Sequence, residues 1–414
     1  MRLPSESPPL VNYGTNGFYK NQTVFTGKKS FNNNAGLRFY MTKYHIAVLP
    51  GDGVGNDVMD AAKIILDVIG LDAEYIPGDI GWEFWKKEGN PLPDRTLSLL
   101  KETDCCLFGA ITSKPRDDAV KELAAELQDK GLAYSSPIVR LRQEFNLHTN
   151  IRPCKAYPGN PLNYKDDIDL VVFRENTEDL YAGVEFRPLP KPVFDALMTH
   201  KKMKRFSQVP LDEIAVSCRI FTKKACQSIV RQAFQYAKEH QRKSVTLIEK
   251  PNVIRETSGM MLEEARKIAK EHPEIQYQET NVDAMCMWLV KNPQNYDVLV
   301  SSNMFGDIIS DLAAQLVGGL GFASSGNIGD AYAVFEPTHG SAPKYAGMYK
   351  VNPMAMLLTI TLMLDWLGEK NSAEQLENAI AQVIKENTVR TYDVGGSNTT
   401  LEVANEVAKK FNGL

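Results

Sequence analysis

Two aspartates four residues apart, Asp307 and Asp311, are the first residues of this sequence whose types and spacing could support chemistry. They follow the apolar run 296–302, which predicts a short buried strand, and the sequence predicts a helix that opens at Gly306 and Asp307. At this spacing both carboxylates project from one helix face, where like charges repel unless a divalent cation offsets them. Asp283, at the start of another predicted helix, adds a third carboxylate. The alternative is that Asp307 only favours the positive helix terminus and Asp311 is solvated.

Three arginines stand where predicted strands or helices end: Arg142, Arg152 and Arg174. A planar guanidinium binds a carboxylate through two parallel hydrogen bonds, so three of them on adjacent elements suit a polycarboxylate. The alternative for each arginine is a surface ion pair. Tyr181 and Lys250 could serve as general acid and general base if burial and neighbouring charge adjust their pKa values.

Two segments rich in small residues could approach phosphates. The turn 50–55 follows a strand and precedes a helix, but Asn56 occupies the last glycine position of G-x-G-x-x-G. A Rossmann fingerprint is therefore absent, and a tight turn is expected, with a ligand beside it as the alternative. Segment 336–345 is dense in small residues and contains His339 and Lys344, which suit a nucleotide phosphate.

The elements that must position these residues belong to a large globular chain. With 414 residues, 43% hydrophobic and 24% charged, the sequence predicts a large core and two domains. No apolar run reaches the roughly 18 residues that span a bilayer, so a membrane protein is not expected. The net charge of −4 and the lack of a basic patch argue against nucleic acid as a partner. Six dispersed cysteines without zinc or disulfide spacing predict buried free thiols.

Strands and helices alternate from residue 44 onward, which indicates an α/β protein with a largely parallel sheet. The predicted strands are 44–49, 74–77, 105–108, 171–173, 214–217, 244–248 and 298–302. The predicted helices are 59–69, 82–88, 97–101, 138–145, 223–239, 259–270, 353–367 and 373–387.

Two segments break this rhythm. Residues 1–40 are rich in Asn, Gly and Ser, with Glu6 as the only acidic residue, and predict a disordered or non-native extension. An organelle transit peptide and a true start at Met41 both stay open. Residues 181–210 are rich in Pro, Lys and aromatic residues and predict an inserted arm.

Several strings resemble motifs of the β-decarboxylating dehydrogenases, the family that contains isocitrate, homoisocitrate and 3-isopropylmalate dehydrogenases. The resemblance covers about residues 44–410, nearly the whole chain beyond residue 40. The motifs that carry it are 49–55 (LPGDGVG), 174–178 (RENTE), 303–314 (NMFGDIISDLAA), 318–330 and 339–343 (HGSAP).

The resemblance implies an α/β fold of the isopropylmalate dehydrogenase type rather than a Rossmann fold, which accounts for the missing glycine. In that family a mixed sheet crosses a large and a small domain that flank a cleft, and a clasp arm completes a homodimer with shared active sites. The implied division is a large domain of residues 41–146 and 319–414, a small domain of residues 147–180 and 211–318, and a clasp arm of residues 181–210.

The resemblance also implies roles for the candidate residues. Arg142, Arg152 and Arg174 resemble the arginines that bind the substrate carboxylates, and Ser136 matches a substrate-binding serine. Tyr181 resembles the general acid. The other implied roles are general base for Lys250, metal ligand for Asp283, Asp307 and Asp311, and coenzyme binding for His339, Gly340, Lys344, Tyr345, Asn352 and Asp393. Lys250 and Asp283 are expected to come from the neighbouring subunit.

The implied activity is the metal-dependent oxidative decarboxylation of isocitrate to 2-oxoglutarate, a reaction of the tricarboxylic acid cycle. Mg2+ or Mn2+ would stabilise charge on the substrate oxygen, and NADP+, or alternatively NAD+, would accept the hydride. The expected location is cytoplasmic, or the mitochondrial matrix if residues 1–40 are a transit peptide.

Departures from the isocitrate pattern leave alternatives open. Ile138 replaces an asparagine that contacts isocitrate, which favours homoisocitrate or 3-isopropylmalate. Lys344 and Tyr392 resemble the pattern that binds the 2′-phosphate of NADP, but the glycines at 395–396 stand where that pattern has an arginine. A non-catalytic regulatory subunit is an alternative of another class. Such a chain is expected to have lost catalytic residues, and none is lost here.

Overall fold

The computed structural model describes residues 42–413, and strands and helices alternate along most of that range. The strands are β1 (Tyr44–Gly51), β2 (Ala73–Pro77), β3 (Cys105–Ala110), β4 (Thr149–Lys155), β5 (Asp169–Glu175), β6 (Glu185–Phe186), β7 (Val216–Ser217), β8 (Ser244–Glu249), β9 (Gln276–Asn281), β10 (Val298–Ser301), β11 (Ser324–Ile328) and β12 (Ala333–Pro337). The α-helices are α1 (Val54–Ile69), α2 (Trp82–Glu88), α3 (Asp94–Lys101), α4 (Arg116–Lys121), α5 (Ala125–Gln128), α6 (Pro137–Glu144), α7 (Lys191–Leu197), α8 (Lys223–Glu239), α9 (Arg255–Ala269), α10 (Val282–Lys291), α11 (Asn303–Gln315), α12 (Met354–Trp366), α13 (Lys370–Glu386) and α14 (Thr400–Gly413).

Ten of these strands form one mixed sheet in the order β2-β1-β3-β12-β11-β4-β5-β10-β8-β9. β4 and β11 run antiparallel to each of their neighbours. All other neighbouring strands of this sheet are parallel. The predicted α/β fold with a mixed sheet is therefore confirmed.

β5 packs its two faces into two different cores, because successive side chains point to opposite sides of a strand. Val171 and Phe173 belong to a cluster with α8 and α9. Leu170 and Val172 belong to a cluster with α10 and α11. The neighbouring parallel strands β5, β10 and β8 thus lie between two helical layers, and their carboxyl ends meet at one edge, where ligands bind in sheets of this kind.

The strands β4 and β11 were not predicted from the sequence, and both carry polar residues at buried positions. Thr149 and Asn150 of β4 and Ser325 and Asn327 of β11 are each at most 1% exposed. Residues of these types are typical of loops, so the apolar signal of a buried strand is absent. The two strands lie between the parallel halves of the sheet, where their polar groups can be buried because they bind one another.

The predicted start of α11 was wrong. The helix begins at Asn303, with Ser302 as its N-cap, so Gly306 lies within it and Asp307 is beyond its first three residues. The explanation of Asp307 as a helix-start residue therefore fails. Ile308, on the other hand, is 52% exposed, so this part of the helix does not bury all of its apolar residues.

The prediction of buried free thiols is confirmed for four cysteines, Cys105, Cys106, Cys154 and Cys226. It was wrong in part for Cys218 and Cys286, which are free but only half-buried.

The predicted arm, residues 181–210, contains α7 and β6, and β6 pairs antiparallel with β7 just beyond residue 210. The division into large domain, small domain and clasp arm stays a prediction. The predictions for residues 1–40 lie outside the described residues. Within residues 42–413, no helix combines the length and the apolar character needed to cross a bilayer.

Candidate active site

The carboxyl ends of β5 and β10 bring several predicted residues together. Arg174 is the penultimate residue of β5, and Ser301, the last residue of β10, lies beside it in parallel register. The chain then turns into α11, which places Asp307 about one turn into a helix that starts at the same edge. β4 pairs with the other side of β5, with Asn150 opposite Arg174 and Arg152 two residues further on.

Asp307 is the centre of this group. Its Oδ1 accepts hydrogen bonds from Arg174 Nη1 and, at 3.3 Å, from Arg152 Nη2, and its Oδ2 accepts the Tyr181 hydroxyl at 2.5 Å. Arg174 is only 2% exposed, and its Nε and Nη2 also donate to Asn303 Oδ1 at 3.0 and 2.7 Å. The guanidinium carbon of Arg174 lies 4.9 Å from the centre of the Tyr181 ring. One carboxylate thus joins two arginines and a tyrosine.

Arg152 extends this group to the second aspartate. Its Nη1 donates to Asp311 Oδ1 at 2.7 Å and to Ser310 Oγ at 2.8 Å, and its Nε donates to Asn150 Oδ1 at 2.9 Å. The prediction that Asp307 and Asp311 share one helix face is confirmed, because one guanidinium reaches both. Their side chains are 31% and 60% exposed, so a ligand can still reach them.

Opposing effects set the charges of this cluster. Burial raises the pKa of Asp307, but the positive charges of Arg174 and Arg152 outweigh it and hold the pKa below its usual value. Burial and the hydrogen bond to Asp307 raise the pKa of Tyr181. Burial and the nearby charge of Arg142 lower the pKa of Arg174 to about 10. At neutral pH the cluster therefore contains an ionised Asp307, a protonated Tyr181 and a charged Arg174.

A buried amide network, missed by the sequence analysis, holds the third arginine. Arg142 Nε donates to Asn327 Oδ1 at 3.0 Å, and its Nη2 donates to Glu336 Oε1 at 3.4 Å. Asn327 Oδ1 also accepts Asn150 Nδ2 at 3.0 Å, and Asn150 in turn binds Arg152. The network fixes Arg142 relative to Arg152. Because β4 and β11 were not predicted, the sequence did not reveal that the amides of Asn150 and Asn327 are buried and need partners.

Lys250 and Asp283 form a separate ion pair. The ammonium group of Lys250 binds Asp283 Oδ1 and lowers the pKa of that carboxyl, whose side chain is 68% exposed. Among residues 42–413, no hydrogen bond or ion pair joins this pair to Asp307. The same range contains no group of three or more His, Cys, Asp or Glu side chains arranged around one metal position. The structure therefore brings Asp307 and Asp311 together and leaves Asp283 apart.

Ser136 and Ile138 stand at the start of α6. Ser136 is the N-cap, but its side chain makes no capping hydrogen bond, which leaves the hydroxyl available to a ligand. Ile138 is partly buried and packs against the apolar cluster that contains Leu141 and Phe108. Ile138 thus has a structural role that the sequence analysis did not anticipate.

The loop after β12 contains His339, and one nitrogen of its ring has no hydrogen-bond partner in the described chain. Its Nδ1 lies 3.1 Å from Gly340 O, whereas its Nε2 is buried without a partner in the described chain. Burial lowers the pKa of His339, so the ring is neutral at pH 7. A Cβ built on Gly340 would meet nothing within 4 Å, so the space beside the loop is open. The loop thus combines a buried ring nitrogen that lacks a partner with open space at Gly340, and both features fit a bound nucleotide.

The glycine-rich turn of residues 50–55 packs against this loop. Val54 N donates to Ser341 O at 2.8 Å. Gly53 has φ +54°, and a Cβ there would lie 2.2 Å from Ser341 O. The turn is tight, as predicted, and only glycine allows so close an approach.

Lys344 and Tyr345 belong to an exposed cluster that also contains Tyr392 and Lys350. The two tyrosine rings lie 5.9 Å apart, Lys344 Nζ lies 4.8 Å from the Tyr345 ring, and Lys350 Nζ lies 4.7 Å from the Tyr392 ring. The hydrogen bonds from Tyr392 and Lys344 lower the pKa of Tyr345. Lys350 was not among the coenzyme-binding residues predicted from the sequence. Two ammonium groups beside hydroxyl donors suit a phosphate monoester.

Asn352 and Asp393 are brought together as a hydrogen-bonded pair. Asn352 Nδ2 donates to Asp393 Oδ2 at 3.1 Å. A Cβ built on Gly321 would lie 3.1 Å from both side chains, so the short segment Leu320–Phe322 covers them closely.

The donors present fit a hard divalent cation. Asp307 and Asp311 offer carboxylate oxygens, which Mg2+ and Mn2+ prefer. Guanidinium charges now balance both groups, and a cation would compete for the same oxygens. Two carboxylates are fewer than such an ion uses, so a third oxygen ligand must come from elsewhere.

Comparison with known proteins identifies the family. A model of the isocitrate/isopropylmalate dehydrogenase family matches residues 45–407, so the chain belongs to that family and is an enzyme of this class. Members act on small hydroxy acids and use a divalent metal and NAD(P). The crystal structure of isocitrate dehydrogenase from Methylococcus capsulatus superposes with a TM-score of 0.77 at 36% identity and covers 89% of this chain and 99% of that one.

The related sequences bear several names. Protein DlpA of Legionella pneumophila is 41% identical over 364 residues, and the match spans 87% of this chain but only 58% of DlpA. The 3-isopropylmalate dehydrogenase of Archaeoglobus fulgidus is 42% identical over 363 residues, 88% of this chain and 98% of that protein. The homoisocitrate dehydrogenase of Methanocaldococcus jannaschii is 40% identical over 371 residues, 87% of this chain and 96% of that protein.

Proposed function

We propose that this chain catalyses the oxidative decarboxylation of isocitrate to 2-oxoglutarate with NADP+ as the hydride acceptor. The observation that carries the proposal is the convergence of Arg142, Arg152 and Arg174 beside Asp307 and Tyr181. Three guanidinium groups match the three carboxylates of a tricarboxylic acid. This match favours isocitrate or homoisocitrate over 3-isopropylmalate, in which an apolar group in place of one carboxylate would leave one arginine without a substrate partner.

Binding of the substrate would exchange the partners of the arginines. Arg152 and Arg174 now hold Asp307 and Asp311. Substrate carboxylates would take over these guanidinium groups, and the aspartate oxygens would become free for Mg2+ or Mn2+. Asn303 keeps Arg174 oriented during this exchange, since its Oδ1 accepts two hydrogen bonds from the guanidinium.

Tyr181 is the proposed general acid. Its raised pKa keeps the hydroxyl protonated at neutral pH, and the Arg174 guanidinium against its ring fixes the side chain. Once Asp307 is engaged elsewhere, the hydroxyl can give its proton to the carbon that loses CO2. Lys250 is the proposed general base. Its ammonium group is paired with Asp283, so it must first release a proton, which a cation held by Asp283 would favour; the neutral amine would then take the proton of the substrate hydroxyl during oxidation.

The separation of the Lys250–Asp283 pair from Asp307 supports a shared site. In the proposal, Lys250 and Asp283 of a second copy complete the cluster of Asp307 and Asp311, so the working unit is a homodimer. The high exposure of Asp283 suits a ligand that serves another subunit. The clasp arm of residues 181–210 and the two-domain division belong to the same proposal.

Residues of the candidate site would hold the metal ion and the coenzyme. Asp283, Asp307 and Asp311 would hold Mg2+ or Mn2+. NADP+ would be held by His339, Gly340, Lys344, Tyr345, Asn352 and Asp393. When bound, the ion polarises the substrate oxygen and the coenzyme accepts the hydride. The exposed ammonium groups near Tyr345 favour the 2′-phosphate of NADP+ over NAD+.

A substrate and coenzyme panel tests the proposal. The purified chain is assayed with isocitrate, homoisocitrate, 3-isopropylmalate and malate, each with NADP+ or NAD+ and with Mg2+ or Mn2+. We expect the highest kcat/KM for isocitrate with NADP+. A higher value for another acid overturns the substrate assignment, and the relatives named for homoisocitrate and 3-isopropylmalate make these the alternatives. Absence of turnover by the chain alone, with every acid, would favour a non-catalytic subunit.

A further inference from the structure

Arg219 binds two buried carboxylates at the base of the candidate site. Its Nε donates to Asp179 Oδ1 at 2.6 Å, and its Nη2 donates to Glu249 Oε2 at 3.2 Å. Both carboxylates are fully buried, and Arg219 is 11% exposed. The guanidinium carbon lies 4.4 and 4.8 Å from the ring centres of Phe221 and Phe305. These three charged residues, Arg219, Asp179 and Glu249, are called the Arg219 hub below.

The hub lies against the first residues of α11. Asp179 Oδ2 accepts Met304 N at 3.0 Å, and Glu249 Oε1 accepts Ser302 N at 3.2 Å. Arg219 Nη2 donates to Ser302 Oγ at 2.8 Å. The first amides of a helix have no partner within the helix, and their partial positive charge offsets the excess negative charge of the hub. The hub therefore binds the start of α11, the helix that carries Asp307.

Asp179 and Glu249 are also close in sequence to Tyr181 and Lys250, the two proposed proton-transfer groups. Asp179 stands two residues before Tyr181, at the start of its turn, with φ +67°. Glu249 is the last residue of β8, directly before Lys250. One guanidinium thus connects the turn that carries Tyr181, the strand end that carries Lys250 and the helix that carries the metal-ligand candidates.

We propose that Arg219 is a positioning residue that places Tyr181 and Asp307 in the site of its own chain and Lys250 for the site of the second copy. Arginine suits this task because its planar fork can bind two carboxylates and a hydroxyl in fixed directions, whereas lysine offers a point charge on a flexible chain. A misplacement of about 1 Å in an active site can lower the rate on the order of a hundredfold. The roles of Tyr181 and Lys250 rest on the proposed function.

The first arm of the test compares Arg219→Lys with a matched control, Arg242→Lys. Arg242 also bridges two carboxylates, Asp169 at 2.8 Å and Asp297 at 3.1 Å, but at the amino ends of β5 and β10. Steady-state kinetics use the best acid of the panel. Arg219→Lys should lower kcat about 10- to 100-fold with KM for the acid changed less than about threefold, and the control should change neither. Arg219→Met, which removes the charge, should lose more activity than Arg219→Lys.

The second arm needs no turnover. Amide hydrogen exchange is measured on the whole chain, and Arg219→Lys should accelerate exchange at Ser302 and Met304, while the Arg242→Lys control should not. Unchanged protection of these amides overturns the proposal. A kcat for Arg219→Lys within twofold of that of Arg242→Lys also overturns the proposal, whatever the hydrogen exchange shows. If the wild-type chain turns over none of the acids, the proposed function fails, and the exchange result alone decides whether Arg219 positions these segments.

Discussion

Replacement of Asp307 by asparagine tests the centre of the site, because this carboxylate binds Arg174, Arg152 and Tyr181 at once. Removing one partner of a buried ion pair costs about 3–5 kcal/mol of unfolding free energy. We expect a smaller cost, about 1–2 kcal/mol, because Asp307 is 31% exposed and the amide oxygen of asparagine can still accept a hydrogen bond. Arg174 also keeps its two bonds to Asn303. Total stabilities of about 5–15 kcal/mol leave such a variant folded.

The activity of Asp307→Asn should fall much further than its stability. As a proposed metal ligand, Asp307 helps to hold the ion that stabilises charge on the substrate oxygen, so its loss should lower kcat on the order of 10²- to 10³-fold. The assays are urea unfolding, which gives the free energy, and steady-state turnover at saturating Mg2+. Asp297→Asn is the control, since Asp297 is 18% exposed and binds Arg242 away from the site. A kcat within threefold of wild type for Asp307→Asn, or an equal loss in the control, would refute the assignment.

Three further predictions concern Tyr181, Lys344 and the pH dependence of stability. Tyr181→Phe keeps the ring against Arg174 but removes the hydroxyl that acts as the general acid, so kcat should fall about 10²- to 10⁴-fold with an unchanged substrate KM. A loss of less than about tenfold would contradict the role of Tyr181 as general acid. Lys344→Asp should shift the ratio of kcat/KM for NADP+ and NAD+ by about tenfold or more toward NAD+, because a carboxylate repels the 2′-phosphate, and an unchanged ratio would exclude Lys344 as its ligand. Since the pKa of Asp307 is lower in the folded protein than in the unfolded chain, its stabilising contribution is complete above a pH of about 4–5 and disappears as the pH falls through the folded value. The unfolding free energies of wild type and Asp307→Asn should thus differ at pH 7 and converge in acid, and urea titrations that show a constant difference would contradict this.

Much of the fold could be predicted because its apolar elements carry local signals. The helices 82–88 and 223–239 coincide with α2 and α8, and the apolar run at 171–173 lies within β5, which is buried on both faces. The polar strands β4 and β11 could not be predicted from periodicity. Their buried residues satisfy one another through hydrogen bonds such as Asn150–Ser325, which joins positions 175 residues apart.

The sequence alone determined the family resemblance and the kinds of groups in the site: arginines for carboxylates, paired aspartates on one helix face, a tyrosine and a lysine. Only the tertiary structure decided how they are held. At the start of α11, Asp179 accepts Met304 N from 125 residues away, and Glu249 accepts Ser302 N. Contacts over such distances follow from the packing of β5, β8 and β10 and leave no pattern in the local sequence. For that reason a chemical role could be hypothesised for Asp307 from the sequence, whereas the buried charges at the start of its helix could not be predicted.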